Sequence, residues 1–389
     1  MIVDGDVIAT HSYWTDDRSR IVTEATVQTV DGPVVVSQLG GRVDGVGMIT
    51  MPGPVILEPG MHVVAAAHQD RDLSQHAHVV LDSAKVLAYP PGYVRTGSTP
   101  TGRLLYWESG CVFVTIDAAG TAAITGDEEF PVIDASIATW NNAGTPSCSY
   151  LKIVSDGRRA LEVGNDYVNL IKFRDTTWGR PAAGNDPPYM YAPSAAGVTT
   201  AFYVYDGSAR DGAIMDADIE INGVNFAISV NGVTRGTQPC HAELQNNLTH
   251  ELGHLFGFEH TCLAAGDPPR MDNLGNPVPA CGVTIDPRIV EATMYNFQDC
   301  GETTKETLSD DDIRAVCDTY PIARDPRTCD HIGSGGPILA DDVVGGDSPG
   351  AAGGGGCCDA SAGARPDASM VLAGTTIALL MRRRRSART

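Results

Sequence analysis

The chain has 389 residues, 42% apolar and 19% charged, an ordinary composition for globular protein and long enough for two folded units with tails. Its 27 Lys plus Arg face 48 Asp plus Glu, a formal net charge of −21, and five of the basic residues (Arg382–Arg385 and Arg388) crowd into the last eight positions. A body this acidic repels a phosphate backbone, which excludes nucleic acid as a partner.

Residues 1–92 read as a small all-β domain. Ile21–Val30, Val34–Gln38, Val55–Leu57 and His62–Ala66 are rich in β-branched residues and are broken by Gly and Pro clusters. Met1–Asp17 lacks the positive start and apolar run of a signal peptide, so an upstream start is expected. Residues 100–323 mix both periods. Val112–Ile116 reads as a strand, and Glu128–Asn142 carries Phe130, Ile133, Ile137 and Trp140 at helical spacing, with Pro131 tolerable only in the first turn. Strand-like runs follow at Tyr150–Val154, Leu170–Phe173, Val198–Tyr205 and Ile214–Ile221, and helices at Glu243–Phe256 and Asp310–Tyr320. Ser309 with Asp312 forms a capping-box pattern for the last helix.

Residues 324–356 are rich in Gly and Asp and read as a flexible linker. Residues 357–389 hold Cys357-Cys358, an uncharged stretch Ala368–Met381 and the Arg block; the 14 uncharged residues fall short of the ~20 that span a bilayer. That order resembles the C-terminal sorting tag of myxobacterial surface proteins, which implies membrane anchoring through the tag before processing; a disordered tail is the alternative. The ten cysteines contain no CxxC, which argues against thiolate zinc sites. Their even number suits disulfides in an oxidising compartment, with buried thiols as the other reading. Cys262 with Cys281, and Cys300 with Cys317, flank short segments and are the preferred pairs, though spacing alone does not fix connectivity. An extracellular or cell-surface monomer is expected.

The chemistry concentrates in Thr249-His250-Glu251-Leu252-Gly253-His254-Leu255-Phe256-Gly257-Phe258-Glu259-His260. On a helix His250 and His254, four apart, project from one face and can share a metal ion. Glu251 projects beside that ion, placed to take a proton from water as the catalytic base. Gly257 can adopt the left-handed conformation that ends a helix and turns the chain back, bringing His260 in as the third ligand. Three imidazoles leave one corner of a tetrahedral zinc ion open for water.

This HExxHxxGxxH pattern resembles the metzincin clan of zinc metallopeptidases, and within it the matrixin-like members. Ala292-Thr293-Met294-Tyr295 resembles the clan's Met-turn, which implies that Met294 and Tyr295 support the site from below. Asn296 stands where astacins and serralysins carry a further Tyr ligand, so no fifth ligand is assigned. No PRCG-type cysteine precedes residue 100, which argues against matrixin-style latency.

The resemblance implies an α+β catalytic domain: a twisted mixed sheet with an antiparallel edge strand, a long active-site helix and a C-terminal helix. It also implies that Val198, Thr199, Thr200, Ala201, Phe202 and Tyr203 form the edge on which an extended substrate pairs. The expected function is zinc-dependent hydrolysis of peptide bonds in protein or peptide substrates. The alternative is a non-catalytic zinc-binding surface or adhesion protein. Asp216 and Asp218 offer oxygens that suit a calcium ion, or serve as strand acids without one.

Overall fold

The computed structural model describes residues 2–51, 57–67, 73–78, 92–97, 101–143, 148–182, 188–230, 239–264, 267, 269–282, 286–333 and 336–338. Residues 1–344 form one compact unit. The chain opens with strands β1 (Ile2–Trp14), β2 (Ile21–Thr29) and β3 (Gly32–Leu39). In β2 the pleat buries Ile21, Thr23, Ala25 and Val27 and leaves the residues between them more exposed, as a half-buried strand requires. Strands β4 (Gly41–Val43) and β5 (Val46–Met51) form a hairpin through Asp44-Gly45, both at positive φ. Then come β6 (His62–Ala67) and β7 (Leu73–His78). An antiparallel sheet of order β3-β2-β1-β6-β7 results, with its own small core of Val3, Val7, Ala25, Val27, Val36, Leu57 and Val63.

Further along lie β8 (Val94–Arg95), β9 (Cys111–Asp117), helix α1 (Glu129–Asn141), β10 (Lys152–Arg159) and β11 (Asn169–Arg174). Next are β12 (Gly179–Arg180), β13 (Tyr189–Met190), β14 (Gly197–Val204), β15 (Ile214–Asn222), β16 (Ala227–Ser229) and β17 (His241–Glu243). Helix α2 (Leu244–Leu255), β18 (Phe258–Glu259), the short α3 (Pro287–Val290), α4 (Asp310–Thr319), β19 (His331–Gly333) and β20 (Gly336–Ile338) complete the unit. The fold is mixed α and β. Its main sheet has the order β10-β9-β11-β15-β14-β5-β4, parallel from β10 to β15 and antiparallel beyond.

Two expectations are corrected by this sheet. Residues 1–92 are not a separate domain, because β4 and β5 leave the first sheet and complete the second. For the same reason β14, and with it Val198–Tyr203, is not an edge strand. Thr199 pairs with Met51 and Val204 with Val46, antiparallel along the whole of β5. The physical reason is burial: Met48 and Met51 are both 0% exposed, which covers an apolar strand edge that would otherwise stay open. Alternation on β14 then serves two cores. Ala201 and Tyr203 face the helical layer, whereas Val198 and Phe202 join Ile21, Leu39, Met48, Trp178, Tyr189 and Tyr191 on the other face.

Helices α1 and α2 pack together through Trp140, whose ring lies 5.1 Å from that of Phe256 and whose Nε1 donates to the Thr249 carbonyl at 2.8 Å. Pro131 falls in the first turn of α1, and the capping box at Ser309 and Asp312 is present. Four disulfides brace the unit: Cys111–Cys329, Cys148–Cys317, Cys240–Cys300 and Cys262–Cys281. The last was expected, but Cys300 and Cys317 pair elsewhere and not with each other. Cys329, bonded to strand β9 of the main sheet, and the β19–β20 hairpin show that the start of the presumed linker belongs to the folded unit. The rest of 324–356 and the expected tag at 357–389 lie outside the described residues. No helix among the described residues is long and apolar enough to cross a membrane.

Candidate metal centre

Helix α2 (LQNNLTHELGHL) has weak intrinsic propensity, with two Asn, a Thr, a Gly and two His in twelve residues. Packing holds it instead. Leu244, Leu248, Leu252 and Leu255 are all 0% exposed, each worth about 1.5–3 kcal/mol of burial. At the other end of the helix Glu243 caps the first turn, accepting from the Asn246 amide at 2.7 Å. The helix stops at Gly257, whose φ is +86° and whose amide donates to the His254 carbonyl at 2.8 Å. A side chain there would also meet the Leu105 carbonyl at 2.9 Å. The reversed chain pairs β18 against β8 and delivers His260 back to the helix.

The three imidazoles converge. His250 Nε2 and His254 Nε2 each lie 3.2 Å from His260 Nε2. The opposite nitrogens are committed, since His250 Nδ1 donates to the Thr293 carbonyl at 2.7 Å and His254 Nδ1 to the Phe258 carbonyl at 2.8 Å. That assignment leaves their Nε2 lone pairs facing inward, toward Nε2 of His260. Bonds of about 2.0–2.1 Å to a tetrahedral ion place neighbouring ligand nitrogens about 3.3–3.4 Å apart, close to the spacing found. Burial and mutual proximity hold His250 and His260 well below the usual imidazole range, and burial also lowers His254. All three therefore favour the neutral form that ligates a metal. Among the described residues, His250, His254 and His260 are the set of three ligand side chains that could hold a metal ion.

Glu251 is 2% exposed, and its Oε2 accepts from Thr199 Oγ1 at 2.7 Å. Burial pushes its carboxyl up to about 8, against the pull of Thr199 and Lys305. Met294 packs on α2 between the two ligand turns, so close that a Cβ on Gly253 would lie 2.2 Å from its sulfur. Asp312 links this turn to α4 by accepting from the Thr293 amide at 2.9 Å, while the Thr293 carbonyl fixes His250. Tyr295 lies beside Lys305, with 5.9 Å from Nζ to the ring centroid.

The sequence-expected groups thus fall into three sets. His250, Glu251, His254, Gly257, His260 and Met294 come together, and Tyr295 lines the flank. Of the presumed edge residues Thr199 reaches the site through Glu251, whereas Val198 and Phe202 point to the far core. Asp216 and Asp218 are remote in function. Asp216 accepts from the Asp166 and Tyr167 amides at 2.7 and 2.8 Å, and Asp218 from Gly164 and Leu170 at 2.8 and 3.0 Å, so together they anchor a loop.

Sequence reasoning missed Lys305. It is 2% exposed, its amide donates to Asn246 Oδ1 at 2.8 Å, and its Nζ donates to the Phe297 carbonyl at 2.6 Å. A lone Lys in a polar run (Thr303-Thr304-Lys305-Glu306) carries no signal of burial. Compared with protein-family models and with curated proteins, the chain matches none.

Proposed function

We propose that the chain is a zinc-dependent metalloendopeptidase of the metzincin type, acting outside the cell on protein or peptide substrates. The observation that carries this reading is the convergence of His250 and His254 Nε2, each 3.2 Å from His260 Nε2, beside a buried carboxylate held by a hydroxyl. A set of three neutral imidazoles suits zinc among the available divalent ions and leaves a corner open for water and substrate. A zinc ion held there supplies polarisation of the peptide carbonyl and acidifies the attacking water. Glu251 takes the proton from that water and returns it to the leaving amine. Thr199 fixes the carboxylate in register, and its proton affinity, already raised by burial, suits a group that must both accept and release a proton near neutral pH. Four disulfides fit an oxidising, extracellular setting.

The test is cleavage of casein by the zinc-loaded full chain, with and without chelator. Glu251→Gln should keep its zinc and lose about 10²–10⁴-fold in rate. Unchanged activity in that variant, or a zinc-loaded protein that cleaves nothing, would overturn the proposal. The second outcome would favour a surface protein that only binds metal.

A further inference from the structure

The short strand β18 touches two of the three histidines. The Phe258 carbonyl accepts from His254 Nδ1 at 2.8 Å, and the next residue, Glu259, turns its carboxylate to His260. Pairing with β8 fixes both residues. Phe258 lies opposite Arg95 and Glu259 opposite Val94, and just before them the Thr96 amide donates to the Gly257 carbonyl at 2.9 Å.

Glu259 is 6% exposed, and its two oxygens serve different partners. Oε1 accepts from the His260 amide at 3.0 Å and lies 3.7 Å from Nδ1 of the same residue's ring. Oε2 lies 3.7 Å from Nη1 of Arg270, whose Nη2 donates to Asp267 at 3.1 Å. A buried charge needs a partner, and Arg270 supplies one from the loop closed by Cys262–Cys281.

His260 differs in this respect from its two neighbours. The outer nitrogens of His250 and His254 donate to neutral backbone carbonyls, whereas the outer nitrogen of His260 faces a carboxylate. A ring that gives Nε2 to a metal carries its one proton on Nδ1, and an anion beside that proton makes the ring a stronger ligand. At 3.7 Å the contact is longer than a hydrogen bond, so the anion acts on the ring through its charge. Three neutral imidazoles bring no negative charge to a buried dication, and an anion next to one of them lowers the cost of holding it.

We infer that Glu259 is the positioning residue of the third ligand: its carboxylate, held by Arg270, orients the His260 ring and strengthens the grip of the three histidines on a zinc ion. The inference rests on the metal centre of the reading above and not on peptide cleavage. Zinc affinity of the full chain, read by competition with a chromogenic chelator, tests it. Glu259→Gln keeps the size of the side chain and an acceptor for the His260 amide, and removes the charge. It should bind zinc about 10–100-fold more weakly than the wild type. Cobalt put in place of zinc reports its ligand field in a visible spectrum, and the bands should shift in the same variant. Replacing both charges, Glu259→Gln with Arg270→Met, should keep the loss. This double variant also carries the test should the stranded Arg270 unfold the single one. Recovery of wild-type affinity in the double variant would mean that the stranded Arg270 charge weakened the metal, and would overturn the assignment. Unchanged affinity in Glu259→Gln would reduce Glu259 to an acceptor for the His260 amide and sink this inference alone. A wild type that takes up no zinc would remove the metal centre itself. Casein cleavage enters neither readout, so the peptidase reading stands or falls separately.

Discussion

Two buried polar clusters lie on opposite faces of the main sheet, and they are built on opposite logic. On the face away from the helices, Arg180 Nε donates to Glu220 Oε1 at 2.9 Å, Tyr191 Oη donates to the same oxygen at 2.7 Å, and Arg174 Nε donates to Oε2 at 2.6 Å. Donors meet acceptors on both Glu220 oxygens, although Arg180 Nη1 is left buried without a partner. On the helical face Nε2 of His250 and Nε2 of His254, both acceptors, each lie 3.2 Å from Nε2 of His260. One proton on His260 can serve only one of the two, whereas a cation can serve both. Buried polarity therefore has two readings in one molecule: a complementary set is structure, and a set of converging acceptors is a candidate receptor for a cation.

Breaking the complementary set should give the largest effect on stability. Arg180→Met strands part of the Glu220 charge in the interior and should destabilise the protein by about 3–5 kcal/mol in urea melts, without altering bound zinc. A loss under about 1 kcal/mol would mean that Arg174 alone satisfies Glu220. The receptor set should respond to the metal itself. Free zinc at 100–1,000 times its Kd should stabilise the wild type by about 2.7–4.1 kcal/mol, and a chelator should remove that gain. His254→Ala should lose the response while retaining the melt of the chelated protein to within the cost of the substitution. A zinc-dependent shift that survives in His254→Ala would place the metal elsewhere.

A sharper probe touches neither the ligands nor the network. Thr199→Val removes the hydroxyl that donates to Glu251 at 2.7 Å and keeps the β-branched shape. Zinc content should stay unchanged and kcat should fall about tenfold, since a mispositioned base loses roughly 1.4 kcal/mol of transition-state stabilisation. An effect on KM alone would show that Thr199 acts on substrate and not through Glu251.

What could be read from the sequence divides along the same line. The receptor was legible because its parts lie within eleven residues, 250–260, where helical spacing and one glycine fix the geometry. Local signals also gave α1, with Pro131 in its first turn, and the cap of α4. Contacts distant in sequence were not legible. Val46–Met51 pairs with a strand about 150 residues away, and nothing in VGMITM tells which sheet it joins, although Asp44-Gly45 marks its hairpin. The same holds for Cys300, which pairs with Cys240, and for Lys305, whose burial comes entirely from tertiary packing. Arg180 and Glu220 are 40 residues apart, and in the sequence they look like two ordinary surface charges.

Glu243 stands between the two regimes. It caps α2 by accepting from the Asn246 amide, but burial pushes its carboxyl from the ordinary 4.5 up to about 7, and the neighbouring Glu306 adds to the rise. A carboxyl raised in the folded state binds its proton more tightly there than in the unfolded chain. Its contribution to stability is therefore fully present below about pH 4.5 and is lost as the pH climbs through about 7. Glu243→Gln keeps an acceptor for the cap and cannot ionise. The variant should be more stable than the wild type by about 1–2 kcal/mol at pH 8, below the ~3.4 kcal/mol that the full rise implies because solvent screens part of the charge. The gap should close as the pH falls to about 4.5. Comparing variant with wild type at each pH cancels the protonation of the three histidines, which is common to both. A gap of equal size at pH 5 and pH 8 would mean that Glu243 is ionised throughout, and that the cap resembles the complementary set more than the receptor.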